Sequence, residues 1–120
     1  MYINGRIMII SDYSFGRIVV NGKTYSKDVI IFPDRVFSPW WRGEGHLLQI
    51  DDLVEVVKTD ITELIIGTGY YGTMQVPSVV LDYLNDKGIK ASIEKTPQAV
   101  DVYNRTISER AAIAALHLTC

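Results

Sequence analysis

The chain is poor in most of the residues that announce a chemistry. It has one cysteine, Cys120, so no internal disulfide can form, and the composition fits a reducing compartment. Its two histidines, His46 and His117, stand apart from any Asp, Glu or Cys at metal-ligand spacing. His117 and Cys120 are three positions apart, too thin a pattern for a metal or catalytic site, and no metal is expected. Twelve basic residues face fourteen acidic ones with no basic run, which speaks against a nucleic-acid face or a polybasic membrane patch. Uninterrupted apolar runs such as 111–116 fall far short of the roughly 18 residues a membrane span needs. The opening MYINGRIMII has neither a secretory cleavage pattern nor the Arg/Ser richness of a transit peptide, so a cytoplasmic location is expected. Internal repeats, low-complexity tracts and linkers are missing too. That implies one domain over residues 1–120, long enough to bury a core unaided.

What is present is a well-punctuated pattern of short elements. Residues 17–20 and 23–25 flank Asn21-Gly22, a strong hairpin signal, because a type I′ turn needs positive φ at both central positions. Residues 29–32 read as a buried strand stopped by Pro33. Residues 50–57 suggest a helix with Leu53, Val56 and Val57 on one face, and Asp51-Asp52 read as helix-start chemistry rather than an acid/base couple. After a short strand at 64–66, residues 77–87 form a helix with Pro77 in its first turn and Gly88 as its stop. Residues 89–94 alternate as a strand, and Thr96-Pro97 caps a helix whose Ala99, Val100, Tyr103 and Ile107 share a face. Residues 111–116 are apolar on both sides, which places them at the centre of a sheet covered above and below. Strands alternating with helices after a hairpin region mean an α/β sandwich with a mixed sheet.

One motif raises a cofactor question. Gly67-Thr68-Gly69-Tyr70-Tyr71-Gly72 satisfies G-x-G-x-x-G, follows a strand and precedes a helix, and Glu94 lies about 20 residues on, where a ribose-binding acid belongs. A dinucleotide fold, however, starts its helix inside the motif so that the helix N-terminus faces the pyrophosphate. A helix begun at Tyr70 would carry Pro77 in its interior at a cost of about 3 kcal/mol. The helix therefore begins near Pro77, full NAD binding and any other bound cofactor are not expected, and the stretch reads as a glycine-rich crossover loop. The residual expectation is a small anion held by Gly67, Thr68, Gly69 and Gly72 through free backbone N–H groups.

Two loops present aromatic side chains. One carries Trp40, Trp41, Arg42 and His46, the other Tyr70 and Tyr71. Trp, Tyr and Arg anchor interfaces because each buries a large area while keeping a polar handle, so Trp40, Trp41, Arg42, Tyr70 and Tyr71 form the candidate interface. Core packing competes, and at least one of the tryptophans is expected to cover the core. Tyr103 is expected to pack on the sheet, and Asn104, one step round the helix, to bond backbone in a neighbouring loop, with the 67–72 loop one candidate.

Four stretches, YSFGRIVVNGKTYSKDVII, WWRGEGHLLQIDDL, ELIIGTG and GIKASIEKTPQAVDVYNRTISERAAIAALHL, together resemble a small, mostly uncharacterised α/β family. It includes the mitochondrial assembly factor of respiratory NADH:ubiquinone oxidoreductase and an animal adipogenesis-associated protein. The resemblance spans about residues 12–118, and its most specific parts are the strand-GTG turn, Thr96, Ala99, Tyr103-Asn104, Glu109-Arg110 and the Ala-rich strand. It implies three layers: a central mixed sheet of about five strands, helices on its faces, and an added antiparallel hairpin layer. It transfers no catalytic residues.

Two classes of function follow as expectations. The first is a non-enzymatic binding or assembly protein that meets a protein partner through its surface. The second is a small nucleotide- or anion-binding module or enzyme centred on the 67–72 loop. With no nucleophile–base pair and no cofactor helix, the first is favoured and an enzyme is less expected.

Overall fold

The computed structural model describes residues 7–120; the opening residues, read above for leader patterns, lie outside the described part. Two sheets share the work. Strands β1 (Ile10–Ser14), β2 (Arg17–Val20) and β3 (Lys23–Tyr25) form an antiparallel meander in the order β1-β2-β3. The β2–β3 turn has Asn21 at φ 49° and Gly22 at φ 81°, the left-handed pair that the Asn-Gly signal calls for.

The second sheet has the order β5-β4-β8-β6-β7 and contains β4 (Val29–Ile31), β5 (Val36–Phe37), β6 (Glu63–Gly67), β7 (Lys90–Glu94) and β8 (Ile113–Leu116). β8 is central, antiparallel to β4 and parallel to β6, and all four of its residues are buried. β6 and β7 run parallel with Leu64 opposite Ala91 and Ile66 opposite Ile93. The mixed sheet is the one expected, and its strand signals are β-branched and apolar runs that need cover on both faces.

Successive side chains of β8 sort the core into two halves. Ala114 and Leu116 face one side with Val29, Ile31 and Ile65, packed against helix α3 (Thr96–Ile107) and the meander's Ile18 and Val20. Ile113 and Ala115 face the other side with Ile30, Leu64 and Ile66, under Trp40, Leu53 and the Val80 and Leu84 of helix α2 (Ser78–Asp86). The layers are therefore helix α2 with the 40–57 segment, the five-stranded sheet, and α3 with the meander. This is the three-layer arrangement expected from the sequence.

Three local expectations need correction. The helix at 50–57 is a 3₁₀ turn, Ile50–Leu53, followed by a single α turn, α1 (Val54–Val57), too short to be stable without the Leu53 and Val56 side chains that it buries. Asp52 does act at its start, accepting from the Gln49 amide at 2.8 Å. Thr96 is not a helix cap: Lys95 occupies the cap position, and the Thr96 hydroxyl turns inward to other partners. Asn104 bonds not the 67–72 loop but β1, donating to the Ile10 carbonyl at 2.7 Å and accepting from its amide at 3.2 Å. Tyr103 beside it is buried as expected, and its hydroxyl donates to the Met8 carbonyl at 2.7 Å.

Candidate functional site

The glycine-rich stretch sits at the carboxyl end of β6, between the helices on opposite faces of the sheet. Open α/β sheets bind ligands in such a crevice. Here the chain itself fills it. The amides of Thr68, Gly69, Tyr70 and Gly72 donate to the Glu94 carbonyl (2.9 Å), the Thr96 hydroxyl (2.8 Å), the Thr119 carbonyl (2.6 Å) and the Gly69 carbonyl (3.1 Å). Thr96 passes the bond on to the His117 carbonyl at 2.6 Å, fully buried. The expectation of free N–H groups is thus corrected at Thr68, Gly69 and Gly72, whose amides go to β7, to α3 and to the loop itself. Gly67 meets the tail of the chain through its carbonyl, which accepts from the His117 amide at 3.0 Å. The glycines serve close packing instead. A Cβ on Gly67 would come within 2.8 Å of both Leu116 and the Thr96 hydroxyl, and one on Gly69, at φ +110°, would strike the Cys120 carbonyl group.

Pinned in this way, the loop turns its tyrosines outward. Tyr70 and Tyr71 meet edge to face at 5.0 Å, and both reach Phe15 at the β1–β2 turn, at 6.0 and 6.1 Å between ring centres. Tyr13 adds a fourth ring 6.5 Å from Tyr70. Phe15 and Tyr70 are exposed and Tyr71 is 67% exposed, so the cluster is a surface, not part of the core. Tyr13 is more enclosed: its hydroxyl donates to the Leu118 carbonyl at 2.8 Å. Burial, then the nearby Tyr70 and Asp28, push its pKa up to about 12. Phe15 and Tyr13 were missed from sequence because they lie some 55 positions from Tyr70 and meet it only across the tail of β8.

The other loop does the opposite. Trp40 is only 3% exposed, packs in the α2-side core and donates its indole N–H to the Asp52 carbonyl at 3.0 Å, so it is a core residue rather than an interface anchor. Trp41 is 75% exposed. The Arg42 side chain, 4% exposed, is likewise no surface anchor. Its guanidinium stacks 4.6 Å over the Trp40 ring and donates to Asp28 at 2.9 Å and to the Gly45 carbonyl at 3.0 Å. Asp28 also holds the Nδ1 of His117 at 2.8 Å and accepts from the Leu118 amide at 2.7 Å. Burial alone would raise the Asp28 pKa, but the bonds from His117 and Leu118 and the charges of His117 and Arg42 outweigh it and hold the carboxyl below its ordinary value. His46, exposed, sets its ring edge-on to His117 at 5.6 Å. Among the described residues no three His, Cys, Asp or Glu side chains converge to hold a metal, and no helix is long and apolar enough to cross a membrane.

The same architecture occurs elsewhere. A conserved hypothetical protein from Pyrococcus horikoshii OT3 superposes with a TM-score of 0.80 at 22% identity over 94% of this chain and 100% of its own. A protein described as an outer membrane protein from Bartonella henselae gives 0.81 at 23% identity, over 95% and 97%. A Bordetella pertussis protein described as a Mth938-like domain gives 0.72 at 17% identity, over 98% and 90%. At these identities the likeness is one of fold. The sequence match is more specific: residues 10–117 fit the family described as "Protein of unknown function (DUF498/DUF598)", and the chain belongs to that family.

Proposed function

We propose that this chain is a non-enzymatic binding protein, of the assembly-factor kind its family resemblance suggests, that engages a partner protein through the Phe15, Tyr70 and Tyr71 surface. What supports this role is one observation: three neighbouring aromatic side chains are exposed on loops whose backbones are pinned from beneath. Exposed aromatics on a rigid support lose little conformational freedom on association, and they are the side chains most often found at the energetic centre of an interface. Trp41 lies in the other loop and is a second, separate anchor. The alternative, a nucleotide- or anion-binding loop at 67–72, is less favoured, since the amides of Thr68, Gly69, Tyr70 and Gly72 already have acceptors within the chain.

The test is co-purification from the native host with mass spectrometry, comparing wild type with Phe15→Ser, Tyr71→Ser and Trp41→Ser. The expected outcome is a partner recovered with wild type and lost with Phe15→Ser and Tyr71→Ser at unchanged melting temperature. Replacements that unfold the protein without selectively losing any partner would place these rings in the core and end the proposal.

A further inference from the structure

A second arrangement, independent of the aromatic surface, lies where the 38–46 loop crosses the end of β8. There the chain encloses a cleft of about 400 Å³, lined among others by Lys27, Asp28, Trp41, Arg42, His117 and Thr119. That size suits a small molecule. Its charged members are unusual in how they are bonded. Arg42 and His117 have side chains only 4% and 8% exposed, and Asp28 joins them. The Nη2 of Arg42 carries all the bonds that its guanidinium makes. Its Nε and Nη1, which hold three of the group's five N–H donors, are buried with no partner among the described residues, and so is the Nε2 of His117. Buried polar atoms are nearly always paired, so three unpaired nitrogens on two touching side chains point to partners from outside the chain, a water or a ligand.

The chemistry of the donors names the class of that occupant. A guanidinium can only donate, so its partner must offer lone pairs, and several of them, since Nε and Nη1 point from different parts of the group. A phosphate or carboxylate has oxygens enough to meet them and forms the stronger, charge-assisted bonds. Arg42 is already fixed for this by the Trp40 ring beneath it and by Asp28 at its Nη2, while Lys27 adds a positive charge to the lining. The Nε2 of His117 is a further donor whenever it carries a ring proton. We propose that this cleft binds the oxyanion group of a small molecule, a phosphate or a carboxylate, held by Arg42 and His117, with the exposed Trp41 side chain yielding as it enters.

The experiment follows the Arg42 Nε–H and the His117 ring by NMR in the ¹⁵N-labelled full chain. Inorganic phosphate and succinate are added separately, with sodium chloride at matched ionic strength as control. The expected result is a saturable shift at both groups with a Kd below about 1 mM for at least one oxyanion and none for chloride. Phosphate alone would name a phosphate ligand, and succinate alone a carboxylate. Arg42→Lys keeps a positive charge beside Asp28 but removes the Nε and Nη1 donors, and should weaken binding by more than about tenfold. Should that variant fail to fold, His117→Gln and the wild-type titration carry the test. No saturable shift with either oxyanion in the millimolar range, or equal shifts with chloride, would overturn the proposal and leave the nitrogens to buried water.

Discussion

The 40–46 loop holds two tryptophans, an arginine and a histidine; the 68–76 loop holds two tyrosines and two glycines. On composition both look like aromatic, polar-tipped binding loops. In the fold, the first turns one tryptophan, Trp40, and its cation inward, onto the α2-side core and Asp28, and leaves Trp41 outside. The second turns its backbone inward, onto Thr96 and segment 117–120, and leaves both tyrosines outside. The lesson is that a side chain's type sets what it can do, while the partner beneath the loop sets which side it shows. A loop over a carboxylate buries its arginine; a loop whose amides find acceptors in a neighbouring strand, helix and chain tail, with Met74 as its anchor in the core, lifts its tyrosines off.

The contrast can be broken at its base, and the largest effect is expected at Asp28. Asp28→Ala leaves Arg42 buried without its counter-charge and should cost about 3–5 kcal/mol of stability in urea unfolding. A loss inside about 0.5 kcal/mol, the range of ordinary surface changes, would show that the first loop is not anchored inward. The same group gives a pH signature. Its carboxyl is held below 3.8 in the folded chain, so its contribution is present above that pH and lost as pH falls through the folded value. The stability gap between wild type and Asp28→Asn should accordingly be wide at pH 7 and narrow in strong acid. A gap independent of pH would contradict the ion pair.

The second loop is tested next, at Gly69. An alanine there must adopt φ +110° and meets the Cys120 carbonyl group, so Gly69→Ala should destabilise by about 1–3 kcal/mol and disturb the tyrosine pair above it. Thermal melting, together with the near-ultraviolet circular dichroism of the tyrosines, reads both effects; a melting temperature equal to wild type would mean that the loop is not pinned. Asn104→Ala removes both bonds to Ile10 and should also cost about 1–3 kcal/mol by melting, but without any change in either loop. A change in the tyrosine signal would tie Asn104 to the loop after all.

The smallest stability effect belongs to the exposed rings. Tyr71→Ser and Trp41→Ser should move stability by no more than about 0.5 kcal/mol. A loss of several times that in either would mean that the ring packs against the body of the protein, and the two loops would then be less different than they look.

The elements whose physics is local were legible in the sequence. Asn21-Gly22 demanded a tight hairpin because few residues tolerate positive φ, and the structure has it at both positions. Residues 111–116 demanded a central strand because alternate side chains were apolar on both faces, and β8 lies between β4 and β6. Pro77 barred a helix from starting inside the glycine motif, and α2 begins at Ser78. What tertiary structure alone decided was which groups meet. Phe15 joins Tyr70, Asp28 joins Arg42 and His117, and Asn104 joins Ile10, across separations that no local pattern records. Thr96 shows the reason most directly. A threonine before Pro97 has every local mark of a helix cap, yet its hydroxyl takes the Gly69 amide and gives its proton to the His117 carbonyl. Both of those groups would otherwise be buried without a partner, and a buried polar group left unpaired costs more free energy than a helix end left for water to solvate.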